Sequence, residues 1–175
     1  MGRAFYSNDS DQPGQLQVTR GPLSLAYGLR VGVQVGYLIE YDWDGKTVSF
    51  AEPYVRGLQH GWTKQFDPRG RLLMSSPFVR GTGTDFYCHD DGELSEETQW
   101  VNGRPIFARI WEDRTSVCSE SHFDDGTRHG VWRHWTNGEL DSNTKFYVRD
   151  EEVSKERYLE VAARDPTVPP YRPEE

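Results

Sequence analysis

The run Cys88-His89-Asp90-Asp91 sets a thiol, an imidazole and two carboxylates side by side, the raw material of a nucleophile and its base. In an extended chain neighbouring side chains point to opposite faces, so Cys88 and His89 do not meet within hydrogen-bond reach. Cys88 also fills a slot that holds an aromatic ring elsewhere in the chain, which reads as packing. Cys118 and His122 would share a strand face, but four residues of extended chain set them ~13 Å apart. His60 and His129 precede equivalent glycines, Gly61 and Gly130, with no Cys or carboxylate at a ligand spacing common to both. The residues therefore assign no catalytic group, no cofactor and no metal ligand. The acidic stretch Asp90, Asp91, Glu93, Glu96, Glu97 suits either the steering of a basic partner or a solvated turn.

Recognition is the better-supported chemistry. Trp100, Trp111, Trp132 and Trp135, with Phe86, Tyr87 and Phe107, stand near Arg104, Arg109, Arg114 and Arg133. Large rigid aromatics beside arginine are the composition of interface hot spots, and equally the core of a thin sheet. Phe107, Arg109, Trp111 and Arg114 are the favoured partner-binding residues, with Trp132 and Trp135 beside them. Their stretch departs from the surrounding pattern: Ile106 replaces a glycine, and the turn from Trp111 to Thr115 has none.

That pattern is a repeat of about 23 residues running from Leu29 to Phe146. Aromatic anchors recur at Tyr54, Phe78, Trp100, Phe123 and Phe146, separated by 24, 22, 23 and 23 residues. Six residues before each stands an aliphatic residue: Val48, Leu72, Leu94, Val117 and Leu140. Such a period means stacked units, none of which buries its apolar face alone. Asp44-Gly45, Asp91-Gly92 and Asn137-Gly138 are hairpin dipeptides, because Asn, Asp and Gly accept positive φ. Each unit is therefore expected to be a β-hairpin. After each turn the chain alternates, with Leu72, Met74, Ser76 and Phe78 on one side. Small hydroxyl residues recur between the apolar ends, which suggests a curved sheet with a tight middle.

Three segments follow. Residues 1–22 are Gly-, Ser- and Asp-rich at the start and are expected to be a flexible arm. Residues 23–148 form the β-repeat array, opening on a period-two run from Leu23 to Trp43. In 149–175, Ser154 suits a helix N-cap and Tyr158, Leu159, Ala162 and Ala163 share a stripe. Pro166 ends that helix, which is expected to cap the last strand, and a Pro-rich tail follows.

Composition narrows the function classes. At 175 residues, 35% hydrophobic and with mean hydropathy −0.81, the chain suits one sheet with a wet face. A net charge of −8 argues against nucleic acid and anionic membranes as partners, which need clustered Lys and Arg. Sixteen Arg against four Lys favours bidentate contacts, although base composition of a genome gives the same bias. There is no run of 18 apolar residues and no secretory segment at the start, so the cytoplasm is the expected compartment. Two cysteines give no disulfide framework.

The units resemble the MORN repeat, in the bacterial variant found in antitoxin proteins. The resemblance is carried by Gly57-Leu58-Gln59-His60-Gly61-Trp62 with Phe66 and Gly70. It is carried again by Gly126-Thr127-Arg128-His129-Gly130-Val131-Trp132 with Trp135, Asn137-Gly138 and Leu140. It covers residues 29–148, two thirds of the chain. The resemblance implies a mostly β fold, a single-layer twisted antiparallel meander of about five β-hairpin repeats, here with a short C-terminal helix. It implies protein–protein contact and no shared active site. The expected role is a protein-binding module that inhibits or regulates a toxin or larger effector complex, with edge-to-edge self-association open to it. A phospholipid-binding scaffold is the alternative, and a Cys/His enzyme is less favoured.

Overall fold

The computed structural model describes residues 2–6, 16–18, 36–113, 116–141 and 143–172. The strands are β1 (Gly2–Tyr6), β2 (Leu16–Val18), β3 (Gly36–Tyr41), β4 (Val48–Val55), β5 (Leu58–Gln59), β6 (Gly61–Phe66), β7 (Leu72–Val79) and β8 (Thr82–Cys88). They continue as β9 (Leu94–Val101), β10 (Arg104–Trp111), β11 (Val117–Asp124), β12 (Thr127–Arg128), β13 (Gly130–Thr136), β14 (Glu139–Leu140), β15 (Lys145–Val148) and β16 (Glu151–Val153). One helix, α1 (Lys155–Ala162), follows. All pairings are antiparallel within one open sheet, in the order β16-β15-β13-β11-β10-β9-β8-β7-β6-β4-β3-β1-β2. This is the mostly β, open hairpin meander with a short C-terminal helix expected from the repeat.

The period has a local cause at each edge of the sheet. Along one edge lie tight two-residue tips with φ near +50° and then between +72° and +79°: Arg56-Gly57, Arg80-Gly81, Asn102-Gly103, Asp125-Gly126 and Arg149-Asp150; Asn137-Gly138 makes the same turn at the opposite edge. Positive φ at both central residues is the hairpin turn whose twist matches the strands. Along the other edge an aspartate closes each wider loop. Asp44 accepts from the Lys46 and Thr47 amides, Asp67 from Arg69 and Arg71, Asp91 from Glu93 and Asp113 from Ser116. The turn without glycine is thus held by Asp113.

The aliphatic residue six before each anchor is explained by pairing. It stands opposite an aromatic or Cys88 at the foot of its hairpin: Val48 with Tyr41, Leu72 with Phe66, Leu94 with Cys88, Val117 with Trp111, Leu140 with Trp135. In the first four the register skips one residue just inside this pair, so Ser49, Leu73, Ser95 and Cys118 are repeated β-bulges. The bulge corrects the expected side for Leu72: Ser76 and Phe78 are buried at 3% and 2%, but Leu72 is 55% exposed.

Other expectations shift. Gly2–Tyr6 and Leu16–Val18, read as part of an arm, form strands, with β1 paired to β3. Leu23 to Val35, including the start of the first unit, lie outside the described residues. The fifth anchor in register is Tyr147, since Gly130 faces Tyr147 as Gly36 faces Tyr54, Gly61 faces Phe78 and Gly83 faces Trp100. Phe146 therefore points to the opposite side, where it joins Val131, Tyr158 and Val168 in the main apolar cluster. Helix α1 starts where expected, Ser154 Oγ accepting from the Arg157 amide. Its core-facing stripe is Tyr158, buried, with Val161 and Ala162 partly buried, whereas Leu159 and Ala163 are exposed, and it lies on the face of the last hairpin, not along its edge.

Candidate partner-binding site

The two faces of the sheet differ. We call inner the side carrying Tyr54, Phe78, Trp100, Phe123 and Tyr147. On it Phe50 of β4 stacks on Tyr87 of β8 at 5.7 Å, across two intervening strands. Gln65 of β6 reaches Cys88 of β8 across one intervening strand, donating to its carbonyl at 2.6 Å and accepting its amide at 2.7 Å. Such contacts require the inner face to be curled. The outer face carries α1 and the tail after it, which we call the strap.

On the outer face three of the sequence-selected residues come together. The Arg109 guanidinium lies 5.3 Å from the Phe107 ring and 5.7 Å from Trp111. Its Nη2 pairs with Glu120 Oε1 at 2.6 Å, and Arg133 Nη1 approaches Glu120 Oε2 at 3.5 Å. Glu120 is well covered, so this is a partly desolvated bridge that fixes two cations in place. Arg133 also donates to the carbonyl of Arg172 and lies 5.7 Å from the ring of Tyr171. The strap is anchored further by Tyr158 Oη, which donates to the Pro169 carbonyl, and by Tyr171 against Phe146.

Between strap and sheet runs an open groove of about 730 Å³. Gln99, Ile106, Phe107, Arg109, His122, Phe123 and Asp124 line it from the sheet, and Thr167, Pro169, Pro170 and Arg172 from the strap. Burial lowers the pKa of His122, which keeps its imidazole neutral near pH 7. Its Nδ1 then donates to the Val131 carbonyl at 2.9 Å, leaving Nε2 as an acceptor. Phe107 packs edge-on to His122 at 5.0 Å. The groove thus offers aromatic faces, a fixed guanidinium, a neutral acceptor and proline rings, chemistry suited to a polypeptide segment.

The remaining selected residues are placed elsewhere. Trp132 lies on the inner face, between Phe123 and Tyr147, with Nε1 donating to the His122 carbonyl. Trp135 pairs with Leu140 at a hairpin foot. Arg114 lies outside the described residues. His122 and the strap prolines were missed by sequence reasoning; their only sequence signal is the Pro-rich tail, which does not say where it docks.

Cys88 is 2% exposed, and burial with Asp91 raises its pKa, which disfavours the thiolate. His89 belongs to the loop, its amide donating to the Glu93 carbonyl. Among the described residues no three His, Cys, Asp or Glu side chains gather as a metal site would require. No helix there is long and apolar enough to cross a membrane. No protein-family model matches the chain, and no curated protein is found similar to it.

Proposed function

We propose that this chain is a non-catalytic binding protein that holds, inhibits or regulates a protein partner, in the manner of an antitoxin or a regulatory subunit of a bacterial effector or defence system. MORN-like hairpin repeats supply its platform. The observation that carries this reading is the groove at Phe107 and Arg109, where the repeat departs from its pattern and the strap adds a second wall. A binding role needs only such a rigid, amphipathic surface. Affinity purification at native expression followed by mass spectrometry tests it. One stoichiometric polypeptide is expected, with recovery cut at least tenfold by Phe107→Ala or Arg109→Gln in a chain of unchanged melting temperature. No stoichiometric partner, or equal recovery with both variants, counts against it.

A further inference from the structure

The strap is held at the last tip by three residues acting together. Val148 packs on the cluster containing Tyr158 and Val168. Arg149 Nη2 pairs with Asp165 Oδ2 at 3.4 Å. His129, only 1% exposed, accepts the Arg149 amide at Nδ1 and stands 3.4 Å from Thr167 Oγ1 through Nε2. A carboxylate, a hydroxyl and an aliphatic side chain within Asp165–Val168 thus meet a guanidinium, an imidazole and a valine.

The same three residue types recur at the same register positions earlier in the array, as Val79, Arg80 and His60. Arg80 and Arg149 share a φ of 51°, and the Arg80 amide donates to His60 Nδ1 as the Arg149 amide does to His129. Here nothing among the described residues covers them. Val79 is 62% exposed, and Trp62, which takes the place of the buried Val131, is 58% exposed. His60 and Arg80 are exposed too, and no carboxylate among the described residues pairs with Arg80. The last tip therefore displays, in cis, the ligand that the earlier tip lacks.

We propose that His60, Trp62, Val79 and Arg80 form a second seat of the strap type, filled by an extended segment of a partner protein. That segment presents a carboxylate, a hydroxyl and an aliphatic side chain within four residues, as Asp165, Thr167 and Val168 do. The charge matches, since a cationic tip flanks the apolar pair. This rests on the protein-binding reading above and adds the chemistry of the bound segment.

A synthetic peptide of residues 163–172, titrated into the full chain by fluorescence anisotropy, is the direct probe. Saturable one-to-one binding is expected. It should weaken at least tenfold with Arg80→Glu or Val79→Asp in the protein, or with Asp165→Ala in the peptide. Both protein changes fall on exposed positions, so an unchanged melting temperature is expected to accompany them. Phe107→Ala and Arg149→Glu should not weaken it. Absence of saturation at millimolar peptide, or binding indifferent to Arg80→Glu, overturns the seat. A dimer of the full chain that Arg80→Glu dissolves gives the seat to the strap of a second copy and overturns the partner assignment. A native partner lost with Phe107→Ala but kept with Arg80→Glu sinks the seat and leaves the binding reading standing.

Discussion

Asp85 faces Thr98 across the inner side of the sheet, and burial, with Glu96 adding repulsion, pushes its carboxyl up to about 6 from an ordinary 3.8. The folded state holds this proton more tightly than the unfolded chain. Its contribution therefore favours folding below pH 4 and is lost as pH rises through 6. Asp85→Asn keeps the acceptor for the Phe86 amide and should raise stability at pH 7 by about 1–3 kcal/mol, with little change at pH 4. Urea unfolding at the two pH values checks the difference. Asp44 and Asp67 act with the opposite sign, since hydrogen bonds hold their carboxyls below the usual range. Thr63 and Ser76 are paired across strands, both buried, and neither hydroxyl has a partner among the described residues. Thr63→Val should stabilise the chain by about 1 kcal/mol, read as a higher melting temperature.

The tips are stapled from one repeat to the next, and this is what makes an array of hairpins into one sheet edge. His60, Thr82 and His129 each accept the tip amide 20 residues on, at Arg80, Asn102 and Arg149. Where Pro105 takes the equivalent place, an Arg104–Asp125 pair at 2.9 Å joins the tips instead. Gly81 donates to Gln59 and accepts from Gly103, and a Cβ on it would lie 2.4 Å from the Gly103 nitrogen. Gly57 has the same positive φ with nothing within 4 Å. Gly81→Ala should cost at least about 3 kcal/mol and Gly57→Ala about 1 kcal/mol, a contrast that thermal unfolding of the two variants resolves. His129→Ala should cost about 2 kcal/mol, because the fully covered imidazole leaves a gap and the part-buried Arg149 amide loses its acceptor. The equivalence of His60 and His129 was legible in the sequence because both precede a repeat glycine. The staple itself was not, because it joins residues 20 apart through side-chain geometry. Phe146 was taken for an anchor in place of Tyr147 for a related reason: both are aromatic, and a slip of one residue exchanges the faces of a strand.

Across the whole molecule, apolar material is divided between a curled inner face and a strap-covered outer one. The hairpin architecture could be read from the chain because a 23-residue period, Asp/Gly loops and aliphatic–aromatic feet are all local signals. Phe107, Arg109 and Trp111 could be selected because their stretch departs from the repeat, and as alternate residues of one strand they fall on one side. The groove could not, since it exists only when Pro169 and Pro170 of the strap reach β10 and β11. Tyr158 fixes that docking, buried completely against Phe146. Tyr158→Ala should cost about 3–5 kcal/mol and release the strap, which hydrogen exchange over residues 165–172 would register as lost protection. The claim that a partner polypeptide lies against the outer face is tested most directly by a photoreactive residue placed at position 107 in cells that make the protein natively. The account predicts one dominant cross-linked polypeptide from position 107 and none from Trp43, which is 86% exposed in the loop between β3 and β4, away from both the groove and the Trp62 seat. Equal adducts from both positions, or none from 107, would contradict it.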